Sequence, residues 1–181
     1  MKRLFFVRHG ETDANVAELL SGQIETSLTE KGIQQAKQTG QDVKQTLPPI
    51  DLIICSTLSR AYHTAQIIAG EIGYPVGQIR QNALFVERSF GTLEGTKSTK
   101  FITGNNYYKL DAVEGSETVE DLQKRAAEAF EFASQLEADN ILIVGHGAFE
   151  RALRRVANNQ PHTDEYLVYK QIPNAAIVEL V

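Results

Sequence analysis

Cysteine is nearly absent: Cys55 is the only one, which excludes an internal disulfide and any multi-cysteine metal site. Basic charge is also scarce. Eighteen lysines and arginines stand against 23 aspartates and glutamates, a net charge of −5 with a pI near 5.4. That balance argues against general nucleic-acid or membrane-surface binding, both of which need a broad basic face. An anionic ligand would have to be met by a local basic pocket. No stretch approaches the roughly 18 consecutive apolar residues of a membrane span. The chain turns polar after Val7, unlike a secretory signal peptide, so a cytoplasmic location is expected. Repeats, linkers and low-complexity tracts are lacking too. With 181 residues, 42% of them hydrophobic, one substantial core and a single domain over 1–181 are expected.

What the chain does have is an alternation of apolar runs and helical stripes. Residues 3–7, 52–55 and 141–144 are short and almost continuously apolar, as strands covered on both faces require. Ile33, Ala36, Gly40, Val43 and Leu47 recur at three- and four-residue steps before Pro48-Pro49. They predict an amphipathic helix, with a capping box formed by Ser27 and Glu30. Val119, Leu122, Ala126, Ala129, Phe130, Ala133 and Leu136 repeat the pattern behind Ser116 or Thr118. Shorter helices are expected over 58–69 and 148–157, and a last strand over 176–180. The class is α/β. Residues 92–116, rich in Gly, Thr, Asn, Lys and Tyr, fit neither period and read as a lid or substrate-facing insertion.

Four polar groups hang on this scaffold. Arg8-His9-Gly10 follows the first strand, with Asn15 six residues after the histidine; Ser56 to Ala61 follows the second; Glu87 lies in Val86-Glu87-Arg88; and Gly145-His146-Gly147 follows the strand at 141–144. Three of the four sit at strand ends, where ligands of open α/β sheets collect. Arg8-His9-Gly10 through Asn15 resembles the RHGxxxxN signature, and Ser56 through Ala65 the SxLxRAxxTA block, of the histidine phosphatase superfamily. Gly145-His146-Gly147 resembles its second-histidine block. This is the group of cofactor-dependent phosphoglycerate mutases and many small acid and sugar phosphatases. The resemblance implies a three-layer α/β/α sandwich with a mostly parallel central sheet.

Phosphoryl transfer needs an in-line nucleophile and positive charge around the equatorial oxygens. Arg8 and Arg60 are planar, always-charged forks suited to phosphate, and can stand where other enzymes use a metal. His9, neutral on one nitrogen and held through the other near Gly10, is the candidate nucleophile. The implied intermediate is phosphohistidine. His146 would donate to the phosphate, and Glu87 would protonate the leaving alkoxide and then take a proton from water. Asn15, the backbone near Gln23, Arg88 and Gly147 are candidate substrate contacts, with a salt bridge the alternative for Arg88 and a turn cap for Asn15. His63 and His162 belong to no motif. A histidine of this kind taken alone is more often an ordinary hydrogen-bonded, partly buried residue; it is the four blocks together that point to chemistry.

Two other chemistries fail on spacing. The cysteine phosphatase loop holds one more residue between cysteine and arginine than separates Cys55 from Arg60, and it needs glycines that are missing here. His146 and Glu150 lack further ligands for zinc. No metal and no cofactor are expected, and the expected ligand is a small phosphorylated metabolite with inorganic phosphate as product, in a monomer or homodimer. Between phosphatase and mutase, the resemblance favours hydrolysis. Mutases of the family carry a longer insertion after the glutamate block, whereas about 25 residues separate Gly91 from Glu117. Phe90 to Gly95 also resembles the FGxxEG of the phosphatase branch, which includes α-ribazole and broad-specificity phosphatases. The family's aspartate and proline before the first long helix are replaced within Gly22 to Leu28, so the loop beside the site differs. Lys97, Lys100, Tyr107, Tyr108 and Lys109 either contact a second acidic group or form a solvated lid. A phospho-ligand binder without turnover is the alternative from another class, although such a protein could spare both nucleophile and acid.

Overall fold

Alternate residues of a strand point to opposite faces, and here both faces are covered. Leu4 and Phe6, Leu52 and Ile54, and Ile141 and Ile143 enter one buried cluster; Phe5 and Val7, Ile53 and Cys55, and Leu142 and Val144 enter another on the opposite side. This is why the runs are continuously apolar, each fully buried Phe, Leu or Ile contributing about 1.5–3 kcal/mol. The computed structural model describes residues 2–97, 110–160 and 170–181. Its strands are β1 (Arg3–Arg8), β2 (Leu52–Cys55), β3 (Arg80–Gln81), β4 (Asn140–Gly145) and β5 (Ile177–Glu179). They form one sheet in the order β3-β2-β4-β1-β5. All neighbours are parallel except β5, which runs antiparallel to β1.

The helices are α1 (Asp13–Val16), α2 (Glu30–Thr46), α3 (Ser59–Ile72), α4 (Val119–Gln135) and α5 (Gly147–Ala157). Ala61, Ala65 and Ile68 of α3 cover one face of the sheet, and α2 packs on α3. Leu122, Ala126, Phe149 and Leu153 of α4 and α5 cover the other. The arrangement is a mixed α/β fold with helices on both sides of a mostly parallel sheet.

Several local expectations change. Thr29, not Ser27, caps α2: its Oγ1 accepts the Gly32 amide at 3.0 Å. Leu28 is paired with Thr12, which keeps the chain extended past Ser27 and starts the helix later. Thr118 rather than Ser116 caps α4. Helix α3 runs on to Ile72 and stops at Gly73, whose φ of 76° ends it in a left-handed turn. The last strand is only Ile177–Glu179, and β3 is a two-residue exposed polar pair that no apolar pattern announces. Within 92–116, a single-turn helix at Gly91–Leu93 and the Phe90–Ser116 bridge are formed; 98–109, carrying Lys100, Tyr107, Tyr108 and Lys109, lie outside the described residues, as does His162. Among the described residues no helix is long and apolar enough to cross a membrane.

One close approach positions the loop after β1. A Cβ on Gly10 would lie 2.4 Å from the Gly32 carbonyl oxygen, and one on Gly32 would lie 2.1 Å from that of Glu11. The loop therefore rests directly on the first turn of α2.

Candidate active site

Because β1, β2 and β4 are parallel neighbours, their carboxyl ends share one edge. Arg8 pairs with Gly145 and Cys55 with Val144, so the next residues, His9, Ser56 and His146, emerge side by side. The His9 amide donates to the Gly145 carbonyl at 2.9 Å, and the two imidazole centroids are 5.2 Å apart. His9 is 5% exposed and His146 fully buried.

The tautomer of His9 follows from its partner. Nδ1 lies 2.7 Å from the Gly10 carbonyl oxygen, which can only accept, so Nδ1 carries the proton and Nε2 keeps its lone pair. Burial, followed by the charges of Arg60 and Arg8, holds the His9 pKa well below its ordinary value. The ring is neutral at neutral pH. The Gly10 amide in turn donates to Thr64 Oγ1, and the His9 carbonyl accepts from Asn174 Nδ2 at 3.0 Å and from the Ala175 amide. His146 Nε2 shares a 2.8 Å hydrogen bond with Ser56 Oγ, while its buried Nδ1 has no partner among the described residues. With the Ser56 hydroxyl donating to Nε2, the ring proton sits on Nδ1, ready to donate. Burial and then Arg60 lower this pKa too.

Arg60 is 1% exposed. Its Nη2 donates to the Gly22 carbonyl at 2.6 Å and its Nη1 to that of Ile24 at 2.8 Å; its buried Nε has no partner among the described residues. Desolvation lowers its pKa, opposed by Glu87, Glu25, Glu94 and Asp13. Arg8 is steadied by its Nη1 donating to the Ile172 carbonyl at 2.9 Å. The Glu87 carboxylate accepts the Ala148 and Phe149 amides at the start of α5, at 3.1 and 3.0 Å, and the Arg88 amide at 2.9 Å. A helix N-terminus thus aims it.

Arg8, His9, Asn15, Arg60 and Glu87 line one cleft of about 240 Å³; His146, fully buried with its ring 5.2 Å from that of His9, is not among the lining residues. Asn15 is fixed by its Oδ1, which accepts from the Thr12 amide and from Asn174 Nδ2, so its NH2 is the end able to donate into the cleft. It caps a turn and lines the site at once. Besides His146, three expected contacts are not among the lining residues. The Arg88 guanidinium is buried against Asp111, the Glu117 carbonyl and the Phe90 ring. Gln23 bridges instead, its amide donating to Glu94 and its side chain to the Glu87 carbonyl. At Gly147 the Gln171 side chain lies so close that a Cβ would meet Nε2 at 2.2 Å; Gln171 occupies the cleft wall there. Nor does Lys97 reach the cleft, since its Nζ donates to the Ala17 carbonyl at 2.7 Å. Cys55 is buried in β2, and burial pushes its thiol up to about 12, so it is no thiolate nucleophile.

Sequence reasoning passed over Arg125. Its Nη1 donates to the Leu84 and Val86 carbonyls at 2.9 and 2.8 Å, and its Nη2 pairs with Glu117, which secures the loop carrying Glu87. The only sequence signal is its place beside the apolar stripe of α4. Gln171, Asn174 and the Ile172 carbonyl gave none. Among the described residues no group of three or more His, Cys, Asp or Glu side chains could hold a metal.

The two suppressed histidines make a stability prediction. An unfolded histidine titrates near 6.5, so as pH falls below that value the unfolded chain takes up protons that His9 and His146 refuse. Stability is full above about pH 6.5 and declines below it, by up to roughly 1.4 kcal/mol per pH unit for each ring. Urea unfolding in phosphate-free buffer between neutral and mildly acidic pH should show this. His146→Gln should reduce the slope, and a pH-independent midpoint would count against the buried neutral pair.

The fold is a mixed α/β one with two buried imidazoles at the carboxyl edge of its sheet and two guanidiniums lining the same cleft as His9. The chain belongs to the histidine phosphatase superfamily (branch 1), whose profile matches residues 4–181. It is 34% identical over 157 residues to the uncharacterized phosphatase PhoE of Bacillus subtilis (strain 168), spanning 84% of this chain and 76% of that protein. It is 42% identical over 93 residues to the 2,3-bisphosphoglycerate-dependent phosphoglycerate mutase of Beijerinckia indica subsp. indica, spanning 51% of this chain and 44% of the mutase. The matched segment is therefore less than half of that relative. Mycobacterial glucosyl-3-phosphoglycerate phosphatase, solved with VO3, superposes with a TM-score of 0.82 at 26% identity, over 99% of this chain and 90% of its own.

Proposed function

We propose that the protein is a metal-independent phosphatase that hydrolyses phosphomonoesters of small metabolites through a phosphohistidine on His9. The observation that carries this reading is the His9 Nδ1 contact with the Gly10 carbonyl, which leaves Nε2 with its lone pair in a cleft that Arg8 and Arg60 also line. Arg8 and Arg60 bind the equatorial oxygens. Nε2 attacks phosphorus, the ester P–O bond breaks, and Glu87 gives its proton to the departing oxygen. Water then attacks the phosphohistidine while Glu87 takes the water's proton; the P–N bond breaks, the lone pair returns to Nε2, and inorganic phosphate leaves. His146 Nδ1–H donates to the phosphoryl oxygens as charge builds. Phosphatase relatives and the short segment between Gly91 and Glu117 support hydrolysis. The mutase relatives supply the second reading, isomerisation of a phosphoglycerate.

Incubation with p-nitrophenyl phosphate tests the first reading. Turnover should survive EDTA and be blocked by vanadate; no release of phosphate, or loss of turnover to EDTA, would overturn it. With 3-phosphoglycerate, free phosphate rather than 2-phosphoglycerate is the expected product. Glu87→Gln should separate leaving groups, costing roughly 10³-fold in kcat for an alkyl phosphate and about tenfold for the nitrophenyl ester, which needs little protonation. Equal losses would remove Glu87 as the acid.

A further inference from the structure

Beyond its phosphate-binding end, the cleft has a wall that the chemistry above leaves unexplained. The described residues there include Glu18, Leu19, Leu20, Ser21, Phe90 and Gln171. One of them is charged, and its charge is negative. Of the cations at the phosphate end, Arg60 is already faced by acids, feeling Glu87, Glu25, Glu94 and Asp13. Lys97 pairs in register with Leu19 on this wall, yet its ammonium is held by the Ala17 carbonyl at the end of α1. Among the described residues the cleft therefore carries positive charge for one phosphate and none for a second acid group.

Glu18 is also an odd residue for its position. It follows the C-cap of α1, with its amide donating to the Asn15 carbonyl at 3.1 Å, and has a φ of 54°. Glycine is the default there, because a side chain in the left-handed region is strained. The chain holds a carboxylate at the rim of the cleft in a conformation that resists having one.

We propose that Glu18 selects the alcohol part of the substrate, favouring phosphomonoesters of alcohols that carry an ammonium group and disfavouring those with a second carboxylate or phosphate. This rests on the phosphatase reading. A carboxylate several ångströms from a substrate charge near the surface changes its binding by roughly fivefold for each sign, attracting the cation and repelling the anion.

Phosphoethanolamine and 2-phosphoglycolate are matched in size and opposite in the charge of the alcohol end. The unaltered protein should show kcat/KM at least about tenfold higher for phosphoethanolamine, with the ratio shrinking in high salt as screening sets in. Glu18→Gln should lower that ratio by about tenfold or more, since each substrate changes roughly fivefold in opposite directions, and Glu18→Lys should invert it. Glu18→Gly should lose the preference while raising Tm by about 2 °C, because glycine relieves the strained φ. That variant keeps the test open should the lysine substitution fail to fold. An unchanged ratio in Glu18→Gln or Glu18→Gly overturns the assignment. Failure of the unaltered protein to hydrolyse p-nitrophenyl phosphate would instead overturn the phosphatase reading.

Discussion

His9→Ala should reduce kcat/KM for any phosphomonoester by about 10⁴-fold or more, leaving the residual rate that phosphate positioning alone supports. The substitution removes the nitrogen proposed to form the P–N bond. Its neighbours in charge remain: Arg60 stays anchored on the Gly22 and Ile24 carbonyls, and Arg8 on that of Ile172. Inorganic phosphate should still bind, detectable as protection against thermal unfolding. Acid quenching destroys a phosphoramidate while alkaline quenching preserves it, so an alkali-stable, acid-labile label from radioactive substrate should appear with the unaltered protein and be missing in the variant. Full activity in His9→Ala would end the covalent mechanism. Lost activity with a retained alkali-stable label would move the nucleophile elsewhere.

Arg60→Ala should be damaging in two measurements at once. The guanidinium is 1% exposed and satisfies two carbonyls of the 22–26 segment. Removing it leaves both without donors in a cavity, a loss of about 3 kcal/mol for charge-assisted bonds, or roughly 6–12 °C in Tm for a chain of this size. The same deletion removes half of the arginine charge that faces the phosphate, and kcat/KM should fall by about 10³-fold. Arg60→Lys separates the two roles. An ammonium keeps the charge but cannot hold two diverging carbonyls and a phosphate oxygen together, so stability should recover more than activity. Equal recovery of both would mean that the fork geometry contributes nothing to the chemistry.

Much of this site is legible in the sequence, for a physical reason. Apolar runs too continuous for a one-sided sheet have to be central parallel strands, and the residues following them have to meet at one edge. Arg8, His9 and His146 are thereby expected as neighbours from local pattern alone. The helical stripes are readable for the same reason, since their period reports which face is buried. Caps are less so: Ser27 and Thr29 are equally good candidates by residue type, and the Thr12–Leu28 bridge chooses between them.

The rest depends on contacts between distant segments made through backbone carbonyls, which leave no mark on residue type. Arg88 and Arg125 are both arginines near the glutamate loop. One is turned to Asp111 and Glu117, and the other holds the carbonyls of Leu84 and Val86. Nothing in composition or spacing tells them apart. The antiparallel β5, the Gln171 amide over Gly147 and the left-handed Glu18 belong to the same category.

By itself, then, the sequence determines the fold class, the family and the set of side chains able to carry phosphoryl chemistry, because strand burial and strand-end position are properties of local pattern. The tertiary structure alone decides which nitrogen of His9 holds the proton, which arginine faces the cleft and which charge waits at its rim. Those depend on where carbonyl oxygens and amides from other segments come to rest.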